Sequence, residues 1–504
     1  MSHNNGNAAD ITILLTITNS LRTAISIVVA VIGVRYLSKE SYAIYLQIMF
    51  LLNTSIMVLQ FGMPKSIYYF MPRVENRKKF VFHTLAVLNL FGLIALIVFL
   101  LGKGWMAALL DNQEAVFAFS FLAVFILLST NNIVFPAVLL SIGEGKTLAA
   151  ASTALSLLLF CSIAGPMLFS LGLHGVLWGL VIYHFIQYAL TGFIALKKTE
   201  GNLSQLKHSE CLVEQFKFLI PLGLISLISI FSASIDRFIV SFFMGLDNFA
   251  LYDRGAIRIP VISSLSITVG AVILPKLVEY YRTGEVAKLL SVWHASIEKV
   301  ALVVFPCFVF LNVFAREIIT LLYTDRFGDS VIIFRLYLFI LIPTITIYGN
   351  IFNAANRNRL FFWITIIVVS VQAPLCILLL KLYGNLGPAV ATVIVSLLNF
   401  AITLSSIKYI LRVSMKKVFP WYFLAKLMSC AGLSGLVAGV IGNLFDFSDI
   451  FAVLISFPVY LVCYYFFTDW IHILKKEDKD TIQKWTGFGW IQKRWSRLAG
   501  RAQA

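Results

Sequence analysis

Apolar runs long enough to cross a bilayer recur along the whole chain. They lie at about 11–33, 41–62, 80–102, 115–140, 147–170, 173–196, 218–243, 250–274, 292–314, 331–352, 359–382, 386–407, 420–442 and 448–468. A helix rises 1.5 Å per residue, so about twenty apolar residues span the hydrocarbon layer. The pattern predicts an all-α polytopic membrane protein with about 14 transmembrane helices. In the first run, Thr12, Thr16, Asn19, Thr23 and Ser26 recur every three or four positions and form a stripe along one helix face. Arg22 flanks that stripe near mid-helix, where snorkelling to either surface is out of reach. A guanidinium at that depth needs a wet cavity or a carboxylate partner, and the cavity is the leading expectation.

Composition agrees with this reading: 60% of the residues are hydrophobic and only 13% charged, against about 25% charged in an ordinary soluble protein. A net charge of +16 is explained by where the cations fall. With the N-terminus inside, most Lys and Arg residues lie in even-numbered loops and the tail, whereas the odd loops hold only Arg35, Lys39, Lys103, Arg316, Arg326 and Lys381. That bias predicts both termini in the cytoplasm and makes nucleic acid an unneeded partner. Met1 to Asp10 then forms a cytoplasmic lead-in to a retained first helix. The six cysteines show no C-x-x-C pair and read as small hydrophobes, so no metal site is expected.

Two short matches indicate an internal repeat. Tyr42-Ala43-Ile44-Tyr45 at the second span matches Phe249-Ala250-Leu251-Tyr252 at the eighth, and Gly172-Leu173-His174-Gly175 before the sixth matches Gly384-Asn385-Leu386-Gly387 before the twelfth. The two separations are nearly equal and six spans lie between the copies, which predicts two six-helix bundles related by a pseudo-two-fold axis along the membrane normal. The domain organisation expected is 1–210 for the first bundle with a cytoplasmic linker, 211–415 for the second, 416–468 for two extra helices, and 469–504 for a basic tail rich in Trp. Tryptophan and lysine in that tail suit an anchor on membrane lipids, or alternatively a docking segment for a partner.

Chemistry rests on the charges inside spans. Asp236 and Arg237 lie in the outer third of the seventh span, and Asp253, Arg254 and Arg258 open the eighth. On a continuous helix Arg254 and Arg258, four apart, share one face. If spans one, seven and eight meet around the axis, Arg22, Arg254, Arg258 and Arg237 make a cationic lumen with Asp236 and Asp253 as internal partners. The competing reading puts the Asp236–Arg237 and Asp253–Arg254 pairs at helix ends that reach water. His184, in the sixth span, is either a proton carrier or a hydrogen-bonded packing residue. Lys299, Arg335 and Lys426 lie near span ends and are expected to snorkel. Gly143-Glu144-Gly145-Lys146-Thr147 ends like a phosphate-binding loop but has Leu140 where the pattern requires glycine, so neither nucleotide nor any other cofactor is expected.

The segments Arg35-Tyr36-Leu37, Tyr42-Ala43-Ile44-Tyr45 and Gln60-Phe61-Gly62-Met63-Pro64 resemble the first two spans of Wzx-type polysaccharide flippases of the MOP superfamily. Asp236-Arg237-Phe238-Ile239-Val240, Gly245, Ala250-Leu251-Tyr252 and Leu274-Pro275-Lys276 resemble the seventh and eighth. The resemblance covers most of residues 10–415. It implies two bundles facing each other in a V plus two peripheral helices, and a non-enzymatic flippase in the bacterial inner membrane. The implied substrate is a lipid-linked oligosaccharide, an undecaprenyl-pyrophosphate repeat unit moved by alternating access and then used by polysaccharide polymerase machinery for O-antigen and lipopolysaccharide biosynthesis. It assigns lumen cations to Arg22, Arg254 and Arg258. Related lipid II flippases use further arginines in the second span, which this chain lacks, so lipid II is not the expected substrate. The alternatives are a MATE-like drug or organic-cation antiporter and, from another class, a membrane-embedded polysaccharide polymerase.

Overall fold

The computed structural model describes residues 2–109, 116–203, 210–444 and 449–474; the Trp485, Trp490 and Trp495 part of the expected tail anchor lies outside them. Among the described residues every regular element is helical. That is what lipid demands of a spanning backbone, since each peptide group must find its partner within the segment. In the first part of the chain the helices are α1 (Ser2–Tyr36), α2 (Lys39–Gln60), α3 (Met63–Phe70), α4 (Arg77–Leu109), α5 (Val116–Leu128), α6 (Thr130–Ser141), α7 (Gly145–Leu168) and α8 (Gly172–Lys198). There follow α9 (Glu210–Phe243), α10 (Gly245–Gly255), α11 (Pro260–Arg282), α12 (Val286–Val313), α13 (Ala315–Tyr323), α14 (Ser330–Leu338) and α15 (Gly349–Ala354). The chain then forms α16 (Asn358–Tyr383), α17 (Gly387–Leu411), α18 (Met415–Val418), α19 (Trp421–Leu444) and α20 (Asp449–Trp470).

Twelve described segments are long and apolar enough to span a membrane, and one of them, Asn358–Leu411, holds both α16 and α17. The expected eighth span is the broken pair α10–α11, so the layout accommodates the fourteen spans read from the sequence. The chain is a multi-pass membrane protein.

Several of the helical runs are interrupted, at the second and tenth spans beside a glycine or a proline. The second span ends α2 at Phe61, in the left-handed region with φ 35°, and Gly62 follows at φ 77° before Pro64 opens α3. Glycine tolerates that conformation, and proline in the first turn loses no helical hydrogen bond. The fourth span is interrupted at Ser129, between α5 and α6. The tenth runs from α14 through two 3-10 turns, Phe339–Leu341 and Pro343–Ile345, before α15.

Backbone contacts divide the chain into two compact units. The first comprises Met1–Ile257, Ile319–Tyr337 and Thr365–Val395. Its core joins α3, α4, α6 and α8 through Ile67, Val81, Leu88, Val134, Val138 and Ala195, with Leu219 of α9 added. Helices in lipid associate through close packing, and small residues permit it. At Gly179 of α8 a Cβ would fall only 2.1 Å from the Ser162 carbonyl oxygen of α7. Helix α9 is seamed to α2 and α3 along its length: Gln215 Nε2 donates to Ser66 Oγ at 2.9 Å, Gln47 Nε2 donates to Ser241 Oγ at 2.9 Å, and the Phe50 and Phe238 rings meet edge to face at 4.9 Å.

The second unit comprises Arg258–Ile318, Leu338–Ile364 and the described part of 396–504. Pro306 inside α12 has no N–H to offer the Leu302 carbonyl four residues back. The Tyr464 hydroxyl of α20 donates to that carbonyl at 3.1 Å, and the Tyr460 hydroxyl donates to the Pro306 carbonyl at 3.0 Å. A proline that would strand a carbonyl in hydrocarbon thus becomes the docking point of α20. Trp293, fully buried, donates from Nε1 to Thr346 Oγ1 at 3.1 Å and braces α12 against the irregular tenth span.

Candidate functional site

The break between α10 and α11 organises the charged residues. Pro260 disfavours helical backbone at the preceding position, and Ile259 is extended at φ −91°, ψ 101°. Residues 256–259 are non-helical. Arg254 and Arg258 therefore do not share a helix face, as a continuous eighth span would have required. Arg254 sits in the last turn of α10, where a cation complements the helix dipole. Arg258 lies exposed in the connector and belongs to the second unit. Gly255 lets α10 rest on the start of α14, because a Cβ there would lie 2.6 Å from Ile333 Cβ.

Asp253 bridges two guanidinium groups. Its Oδ2 accepts from Arg254 Nη2 at 2.9 Å, and its Oδ1 lies 3.4 Å from Arg237 Nε. Arg237 Nη2 also donates to the Ala256 carbonyl at 2.6 Å, a group freed by the end of α10. The Arg254 guanidinium faces two aromatic rings, with its Cζ 5.6 Å from the Tyr42 centroid and 5.3 Å from that of Tyr323. Both tyrosines are buried. Arg254 Nε is enclosed and has no acceptor.

Asp236 neighbours Arg237 in sequence but points elsewhere, as adjacent helix positions must. It is 1% exposed, so it does not reach water at a helix end. The Tyr252 hydroxyl donates to its Oδ2 at 2.8 Å and lies 3.4 Å from the Tyr337 hydroxyl, while Oδ1 has no partner. The four tyrosines around this cluster were not singled out as site residues from the sequence. Tyr42 and Tyr252 do belong to the matched tetrapeptides, and α2 and α10, which carry them, pack together through Phe50 and Phe249 at 5.5 Å.

The end of α1 adds to the cluster. Arg35 Nη2 donates to the Leu321 carbonyl at 2.9 Å and Nη1 to that of Leu322 at 3.4 Å, capping the carbonyls that α13 leaves unmatched at its C-terminus. Lys39 Nζ meets Asp247 Oδ2 at 3.0 Å in an exposed pair beside a rim cleft of about 410 Å³.

Arg22 stands apart from these groups. Helix α1 packs on α7 through Thr18, whose Oγ1 lies 3.4 Å from Thr153 Oγ1, and buries Ile25, Val29 and Gly33 on the same side. Thr16, Asn19, Arg22 and Ser26 are exposed. Among the described residues Arg22 makes no hydrogen bond or ion pair. His184 is enclosed in a neutral network. Its Nδ1 lies 3.2 Å from Ser129 Oγ and 3.3 Å from Gln187 Oε1, beside the Phe125 ring. A parallel network joins Asn89, Thr130 and Asn131: Asn89 Nδ2 donates to Asn131 Oδ1 at 3.0 Å, and Thr130 Oγ1 donates to Asn89 Oδ1 at 2.8 Å.

The Gly143–Thr147 turn is a helix start. Glu144 precedes α7 and accepts from the Thr147 hydroxyl and from Lys198 Nζ, the latter at 3.0 Å. The Thr147 hydroxyl and then Lys198 hold its carboxyl below the usual range.

The backbone course has known counterparts. A lipid II flippase, MurJ, in an inward closed conformation superposes with a TM-score of 0.72 at 16% identity, covering 91% of this chain and 99% of the other. An inward-facing multidrug resistance MATE family transporter of the MOP superfamily gives 0.60 at 16% identity, covering 80% and 99%. A MOP superfamily transporter from Pyrococcus furiosus gives 0.55 at 18%, covering 80% and 96%. At these identities the likeness is one of fold. No curated protein is a detectable relative of this sequence. Residues 32–332, more than half of the chain, match the family described as polysaccharide biosynthesis protein, and the chain belongs to that family.

Proposed function

We propose that this chain is a flippase that moves an undecaprenyl-pyrophosphate-linked oligosaccharide repeat unit across the bacterial inner membrane by alternating access. The observation that carries this reading is the gathering of Arg237 and Arg254 at the broken eighth span, with Arg22 exposed on α1 and unpaired among the described residues. Arginine offers a planar fork to phosphate oxygens, and a phosphate-bearing headgroup needs cations where the bilayer supplies none. The sugars and pyrophosphate follow the polar path while the polyprenyl chain stays in hydrocarbon. Arg258, on the connector, is assigned to the same path.

In this reading both termini are cytoplasmic, the Arg35 end faces outward, 1–210 and 211–415 act as the two moving bundles, and polymerase machinery receives the product. Asp236 is the proposed coupling group: it is enclosed at the broken eighth span, where the Tyr252 hydroxyl donates to its Oδ2 and its Oδ1 has no partner among the described residues. Asp253 serves as the charge partner of the arginines, and His184 is left to packing.

A drug or organic-cation antiporter is the second reading, favoured by the same enclosed Asp236 in a fold shared with a MATE family transporter. Reconstituted vesicles decide between them. Leaflet transfer of a polyprenyl-pyrophosphate oligosaccharide by the wild type supports the flippase. Its absence under an imposed proton gradient, with efflux of an organic cation instead, supports the antiporter.

A further inference from the structure

Arg254 joins three elements. It is carried by α10, faces Tyr42 of α2, and faces Tyr323 at the end of α13. A guanidinium between two buried tyrosines keeps that place only while a nearby anion balances its charge, and Asp253 is that anion. Asp253 does this for two cations at once, one oxygen to each, which is how a diphosphate would also be held. The arrangement is incomplete in one respect. Arg254 Nε is buried with no acceptor, so its side-on fork is only half used.

We propose that Asp253 is an internal stand-in for the substrate's phosphate, and that its displacement by an arriving pyrophosphate turns Arg254 out of the Tyr42–Tyr323 clasp and unties α2 and α13 from α10. This rests on the flippase reading and adds a regulation to it. A pyrophosphate has oxygen atoms enough for Arg237, for Arg254 Nη2 and for the unused Nε. Once the fork turns toward it, the aromatic faces lose their cation. What then still joins these elements is apolar packing, Phe50 on Phe249 and Tyr42 on Phe327, with the Arg35 cap on α13 and the exposed Lys39–Asp247 pair, which solvent screens. Substrate arrival and release of this end thereby become one event.

The test uses the full chain in detergent, with the native cysteines replaced and spin labels at two exposed positions, Glu40 in the first turn of α2 and Arg326 just beyond α13. Inorganic pyrophosphate is the probe. The expected result is that pyrophosphate lengthens the Glu40–Arg326 distance in the parent, and that Asp253→Asn lengthens it without any ligand. By titration calorimetry Asp253→Asn binds pyrophosphate about tenfold tighter, since a competing charged acceptor is gone. Asp253→Glu returns both readouts toward the parent. If Asp253 only orients the arginines, Asp253→Asn binds pyrophosphate more weakly, and that overturns the proposal. An unchanged distance in Asp253→Asn overturns it too. Should Asp253→Asn not fold, Tyr323→Leu removes one face of the clasp with Asp253 intact and must lengthen the distance; no change contradicts the idea. Transfer assays separate the two claims. A wild type that flips lipid-linked oligosaccharide while Asp253→Asn keeps the parent distance sinks the stand-in alone. The expected distances from a wild type that flips nothing sink the flippase reading and leave an anion-responsive lock.

Discussion

Two polar interiors lie within the first unit, and they are built on opposite plans. Between α4, α5, α6 and α8, the residues Asn89, Ser129, Thr130, Asn131, His184 and Gln187 are all neutral hydrogen-bonding groups, and none is among the buried side-chain atoms left without a partner. At the broken eighth span the groups are charged, and both Asp236 Oδ1 and Arg254 Nε lack partners. A satisfied neutral network holds helices in register. An unsatisfied charged one is costly inside a membrane and persists where a ligand or a proton completes it. On the proposed reading, the first interior is structural and the second carries the transport.

The sharpest way to break that contrast is at Arg254. Arg254→Ala removes a charge-assisted fork, each such hydrogen bond being worth about 1.5–3 kcal/mol, so leaflet transfer should fall about a hundredfold. Arg254→Lys keeps the charge but not the fork and should recover only part of the loss. Arg22→Ala comes next. The side chain is exposed and has no hydrogen bond or ion pair among the described residues, so transfer should drop about tenfold with no change in thermal midpoint. A parallel loss of stability would make Arg22 a structural residue.

In the neutral interior the expected pattern reverses. Asn131→Leu strips Asn89 Nδ2 of one acceptor and the Tyr188 carbonyl of one donor. It should cost about 1–3 kcal/mol in denaturant unfolding yet leave transfer per folded molecule within about twofold. Tyr464→Phe in the second unit re-exposes the Leu302 carbonyl and should cost about 1 kcal/mol, read the same way.

The smallest effect is a pH dependence at Glu144. Its folded carboxyl titrates below the ordinary 4.5, so its contribution to stability is full above that value and is lost as pH falls through the depressed one. The difference in thermal midpoint between wild type and Glu144→Gln should be present at neutral pH and shrink below 4.5. A difference that grows on acidification would refute the assignment.

How much of this was legible in the sequence follows from which forces are local. Spans and their number are written in hydropathy, because lipid enforces the helix wherever about twenty apolar residues run together. The breaks were readable only in part. Gln60-Phe61-Gly62-Met63-Pro64 carries both the family resemblance and a helix interruption, whereas Pro260 lies inside an apolar run whose hydropathy hides the break. Only a helix continuous through Pro260 would give Arg254 and Arg258 a shared face. The pairing of Asp253 with Arg237, nearly a span away in sequence, depends on tertiary packing that periodicity does not encode. The same holds for the tyrosines: a ring that holds a cation and one that faces lipid have the same letter.

The most direct test of the central claim sets the two interiors side by side. Wild type, Arg254→Ala and Asn131→Leu are reconstituted at matched density, and the rate at which a polyprenyl-pyrophosphate oligosaccharide changes leaflet is measured. The account predicts near-wild-type transfer per folded molecule for Asn131→Leu and collapse for Arg254→Ala. Equal transfer by wild type and Arg254→Ala would contradict it.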